Sequence, residues 1–140
     1  MLYQQTVGRV FMPYFAWFGV LGMVLLYAAG IAILAAKRKN KPKPRRYHQV
    51  LGTGAAVSLT VHAVWANLEH VGQAIPIVGW VGLAALGLIF FGYGAASRAK
   101  KKRDKKWSEL HWKVELAALV VASIHGAWFI WRIIQSKHTA

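Results

Sequence analysis

At 140 residues the chain is sized for one domain, and 56% of it is hydrophobic although its net charge is +14. Those values coexist because apolar runs longer than a soluble core element needs alternate with short basic blocks, which excludes an ordinary soluble globule. The absence of cysteine excludes disulfides, iron–sulfur ligation, thiolate metal sites and thioether attachment of a cofactor.

The pattern predicts a single all-α integral membrane domain over 1–140, a bundle of four transmembrane helices. The first span covers about 14–36 and starts after Pro13, where a helix begins without wasting a backbone donor. Only Arg9 carries charge before it, so no cleavable signal peptide is expected. The connection 37–46 holds seven Lys or Arg and is interrupted by Pro42 and Pro44. The second span, about 47–68, ends at Glu69 and His70. A connection without Lys or Arg leads to Pro76 and the third span, about 76–96. Residues 98–106 then hold seven more basic residues, opposed only by Asp104, before the fourth span at about 107–134. Each span reaches the roughly 20 residues needed to cross the hydrocarbon.

The two basic connections place themselves in the cytoplasm by the positive-inside rule, with both termini on the extracytoplasmic side of an inner membrane. Trp17, Trp80, Trp128 and Trp131 then lie toward one interface and Tyr47, Tyr93, Trp107 and Trp112 toward the other, as aromatic belts do. The basic loops are short tethers suited to anionic lipid headgroups, and a nucleic-acid partner is not expected, since they offer no groove or aromatic platform.

Four histidines carry the chemistry. His48 and His62 are 14 residues apart, as are His111 and His125. On a helix that spacing is almost four turns, so both rings of a pair project from nearly one face, about 21 Å apart along the axis. Ionisable rings at membrane depth are expensive and mark function by default. Helices two and four run in the same direction, so His48 shares a depth with His111, and His62 with His125. Two equal-depth pairs suit two non-covalent haems, each iron held between two imidazoles and left with no open coordination position. Ala55 and Ala118, midway between the histidines of their own helices, leave room between the centres.

This arrangement resembles the dihaem four-helix core of transmembrane b-type cytochromes, in which two non-adjacent helices each carry His-x13-His. The cytochrome b subunit of quinol:cytochrome c oxidoreductases and, nearly, the membrane domains of ferric reductases and NADPH oxidases share it. The resemblance implies two b-type haems, with His48, His111, His62 and His125 as metal ligands. It departs from cytochrome b in its glycines: Gly8 and Gly22 match the family's spacing only if the first helix extends below Pro13, and Gly79 and Gly92 fall one residue short. The orientation is nearer to that of the ferric reductase domains, yet no flavin or nicotinamide domain is expected within these 140 residues.

Around these ligands, Arg132 lies seven residues beyond His125, suited to a propionate of the outer haem, and Arg46, with Arg45 or Lys113, suits the inner one. Snorkelling to the interface is the competing use of such residues. Ser58, one turn before His62, is placed to accept its Nδ1 proton. Glu69 falls on the haem-facing side, where a carboxylate could take protons from a quinol, and Glu115 points inward toward Lys113, Arg46 or a buried polar group. Gly19, Gly22, Gly82 and Ala85 offer small-residue surfaces for docking a neighbouring subunit. The function expected is transmembrane electron transfer within a quinone-linked redox complex, with other redox subunits as partners. The alternative is a small transporter or metal-ion carrier whose histidines serve as polar contacts between helices.

Overall fold

The computed structural model describes residues 14–39, 43–69 and 77–138, and within them the chain is helical except at Arg103 and Asp104. Four helices follow one another: α1 (Tyr14–Lys39), α2 (Lys43–Glu69), α3 (Ile77–Lys102) and α4 (Lys105–His138). Pro13, Pro42, Pro76, Gly8 and His70 lie outside the described residues. The helices extend beyond the expected spans into the basic segments, because Lys and Arg are good helix formers and cations at the C-terminal ends of α1 and α3 complement the helix dipole. Pro44 belongs to the first turn of α2 and does not interrupt the connection. Its missing N–H costs nothing there.

The predicted 98–106 loop shrinks to a tight corner. Arg103 takes the left-handed conformation, φ 52°, which ends α3, and Asp104 starts α4 by accepting the Lys106 backbone N–H at 2.8 Å. Arg98 lies over the Trp107 ring at 4.8 Å and ties the two helix ends together.

Helix α1 packs along α2 and α3 along α4, while the two hairpins meet more sparingly through α2 with α3 and α1 with α4. Among the described residues α2 and α4 are diagonal partners, with no Cα pair within 8 Å. Two tyrosines join the hairpins. Tyr93 Oη donates to Thr53 Oγ1 at 3.0 Å. Ser123 Oγ spends its proton on the Leu119 carbonyl, so Tyr27 donates to it across 2.6 Å. Tyr93 is thus a bundle contact, whereas Trp17, Trp80, Trp128, Trp131, Tyr47 and Trp112 are exposed as interfacial aromatics are.

The core is made of small residues. Ala55 and Ala118 are fully buried, with Leu26, Ala56, Ala85, Ile89 and Ala122 around them. Large apolar side chains such as Val24, Ile31, Phe90, Phe91 and Ile124 cover the outside. A water-soluble bundle would invert that order, so the distribution is that of a membrane helical bundle. By length and composition three helices can cross a membrane, within Tyr14–Ala35, Ile77–Lys102 and Lys105–Arg132.

Helix α2, expected as the second of four spans, has the length, 27 residues, but carries more polar side chains than α1 or α3. Several of these are hydrogen-bonded within the protein. Ser58 Oγ donates to the Phe18 carbonyl at 2.7 Å, Thr60 Oγ1 to Ala56 at 2.7 Å, and Thr53 receives Tyr93. The interface of α1 with α2 is close at Gly22, where an added Cβ would fall 2.5 Å from Leu59 Cγ. Gly22→Ala is expected to destabilise the fold by about 1–3 kcal/mol, as overpacking does, and thermal unfolding in detergent measures it.

The hairpins are copies of one another. Adding 63 to a residue number carries Trp17 to Trp80, Gly19 to Gly82, His48 to His111, Ala55 to Ala118, His62 to His125 and Trp65 to Trp128. The buried Leu26 maps likewise onto the buried Ile89.

Candidate histidine sites

The diagonal of the bundle brings the histidines together at two levels. His48 and His111 have ring centroids 6.1 Å apart with planes inclined at 67°, and His62 and His125 have centroids 6.2 Å apart at 75°. Each pair joins α2 to α4, and all four rings are partly buried.

Each ring is tethered by Nδ1 to a backbone carbonyl of the neighbouring helix in its own hairpin. His48 donates to Ala29 at 3.0 Å and His111 to Gly92 at 3.0 Å; His62 donates to Phe15 at 2.8 Å and His125 to Val78 at 2.9 Å. The acceptors obey the same 63-residue equivalence as the histidines. A carbonyl oxygen only accepts, so Nδ1 holds the proton in all four rings, and a neutral ring then has a bare lone pair on Nε2. Accepting carbonyls also fix ring orientation, as they do for metal-ligating histidines. The role expected of Ser58 as acceptor for His62 is thereby corrected: Phe15 takes that proton, and Ser58 turns to Phe18 because its hydroxyl faces α1.

Two glycines make the outer tethers fit. A Cβ on Gly19 would lie 3.0 Å from His62 Nδ1, and one on Gly82 would lie 3.0 Å from His125 Cε1. These residues, with Gly22 against Leu59 and the buried Ala85, face the bundle interior. That corrects their expected role as a docking surface for a neighbouring subunit. The 63-residue offset pairs Gly19 with Gly82 and is the sequence signal that would have placed them beside the equivalent histidines.

Glu115 approaches neither Lys113 nor Arg46; its Oε1 is 3.7 Å from His111 Nδ1. Arg132 is exposed and stacks over Trp128 at 5.3 Å, and Arg46 is exposed near the start of α2. The side chain of Glu69 and that of His138 lie outside the described residues, as does His70.

Among the described residues no group of three or more His, Cys, Asp or Glu side chains converges, so each pair supplies two nitrogen donors and no more. Two fixed imidazoles with free lone pairs can act as opposed ligands to one electrophilic centre that brings its remaining ligands with it. Comparison with protein-family models, with curated proteins and with solved structures returned no match to this chain.

Proposed function

We propose that the chain is a dihaem membrane cytochrome of b type, with His48 and His111 holding one haem and His62 and His125 the other. The observation that carries this reading is the tethering of all four Nδ1 atoms at two equal-depth pairs. Two metal–nitrogen bonds of about 2 Å, with half a ring added at either end, call for centroids about 6 Å apart. The observed 6.1 and 6.2 Å fit. Rotation about the line joining the two nitrogens leaves the ring planes free to differ. A metal with two protein ligands needs a macrocycle for the other four, which a zinc or transported ion lacks. The unbroken helices also favour this reading over a transporter, which typically interrupts its helices at the binding site.

When bound, each haem would supply a one-electron carrier with no position open to a small ligand. The protein's part is to hold the imidazoles neutral and oriented, to leave room between the levels through the small side chains of Ala55 and Ala118, and to pack apolar side chains against the lipid. All four helices span the inner membrane in this reading, with α2 tolerated because Ser58, Thr60 and its histidines spend their polar groups on backbone carbonyls. The basic corners face the cytoplasm and anionic headgroups, and both termini face outward. Arg132 and Arg46 are placed near the two ends to meet propionates. A lipid-facing apolar groove formed by Ile77, Val78, Val81, Ile124 and Trp128 reaches His125, which supports approach of a quinone at the outer level. Other redox subunits complete the path, making this chain the electron-transferring membrane subunit of an oxidoreductase complex.

The purified protein is expected to carry two haems per chain, low-spin when oxidised and when reduced, and removable by acid-acetone because no cysteine anchors them. In vesicles, an impermeant reductant outside should reduce both haems and then an acceptor trapped inside. A stably folded, colourless protein from haem-replete cells overturns the assignment.

A further inference from the structure

The chain has four acidic residues. Glu69 ends α2, Asp104 caps α4 and Glu109 is exposed in the opening turns of α4. Glu115 alone lies deeper along an apolar span, with its side chain 21% exposed and Oε1 3.7 Å from His111 Nδ1. A carboxyl group at that depth is costly and calls for a specific use.

Its place is prepared by Gly92. The Gly92 carbonyl accepts the His111 Nδ1 proton at 3.0 Å, and a Cβ at Gly92 would collide with the Glu115 carboxyl. The equivalent of Glu115 in the first hairpin is Gly52, one turn after His48. One turn after His62 and His125 stand Ala66 and Phe129. Of the four otherwise equivalent histidines, His111 is thus the one with a carboxyl group a turn away on its own helix. At 3.7 Å the contact is too long for a hydrogen bond, so the carboxyl acts electrostatically, through its electron-rich oxygen, on the Nδ1–H already bound by Gly92.

We propose that Glu115 is a positioning residue that sets the reduction potential of the centre held by His48 and His111 below that of the centre held by His62 and His125. This rests on the haem assignment above. An electron-rich oxygen beside Nδ1–H strengthens donation from the ring's other nitrogen, and electron-rich ligation favours the oxidised metal. The low dielectric of the span strengthens the effect over its value in water. Two hairpins of nearly identical architecture thereby contribute unlike ligands to the inner centre. With its lower-potential centre at the cytoplasmic level, the protein favours electron passage outward.

Redox titration of the purified protein tests this, with His111→Ala identifying which midpoint belongs to the inner centre. Glu115→Gln should raise that midpoint by the equivalent of about tenfold in the reduction equilibrium, about 59 mV for one electron, and leave the other in place. Gly52 supplies the converse variant. A Cβ there meets Tyr93 Oη at an ordinary 3.4 Å, but the residue equivalent to Gly92 is the buried Ala29, so Gly52→Glu is paired with Ala29→Gly to reproduce the Gly92–Glu115 arrangement, and the double variant should lower the same midpoint by placing a carboxyl one turn from His48. The low-spin resonance of that centre should move in both variants. Packing damage would not produce opposite shifts confined to one centre. Variants with both haems bound and both midpoints unmoved, or with both midpoints moved equally, overturn the proposal. A wild-type protein that binds no haem overturns the underlying assignment instead, and the proposal with it.

Discussion

His62→Ala and His125→Ala are each expected to abolish the same haem, whereas His48→Ala and His111→Ala each abolish the other. Every one of these variants should retain one haem per chain in place of two, because a lone imidazole leaves an iron site without its second protein ligand. The separation of roughly 21 Å between levels makes the losses independent. His138→Ala and His70→Ala should leave the content at two. Haem quantification with redox titration of each variant is the measurement. Loss of the same centre in His62→Ala and His111→Ala would contradict the diagonal pairing.

Enlarging either glycine beneath the outer pair should have nearly as large an effect. At Gly19 a methyl group would sit 3.0 Å from His62 Nδ1, and at Gly82 it would sit 3.0 Å from His125 Cε1. The ring cannot keep its bond to Phe15 or Val78 and also clear a branched side chain. Gly19→Val and Gly82→Val are therefore expected to lose the outer haem while the inner one remains. A structural collapse would remove both, and a tether without functional weight would remove neither; spectra of the reduced proteins separate the three outcomes.

Much of the architecture is legible in the residue order. Apolar runs broken by basic blocks announce the helices, and the repeated 14-residue interval of the histidines announces which rings share a depth. The facing of each helix is less legible. On α1 and α3 the lipid side and the bundle side are both apolar, so no amphipathic stripe says which way Gly19, Gly22, Gly82 and Ala85 turn. The partners of Nδ1 are hidden for another reason: they are backbone carbonyls, which every residue possesses, and only packing selects Phe15, Ala29, Val78 and Gly92. Helix ends were obscured by Lys and Arg, which mark the membrane boundary without ending the helix. Glu115 could be placed inside the bundle from its spacing to His111, but its neighbour depended on the space left by Gly92.

Each histidine in this bundle meets its own counterpart in the other hairpin, His48 with His111 and His62 with His125. A residue that touches its own equivalent lies beside the axis relating the two copies, the arrangement of an isologous two-fold dimer. Two separate, identical hairpins docked in this way would already present both pairs of rings, with no residue borrowed from outside the repeat. Joining the copies in one chain removes the obligation to remain identical. Gly52 and Glu115 are where that freedom has been used next to a histidine, so that the two imidazoles of one pair, which exact symmetry would keep alike, stand in different surroundings.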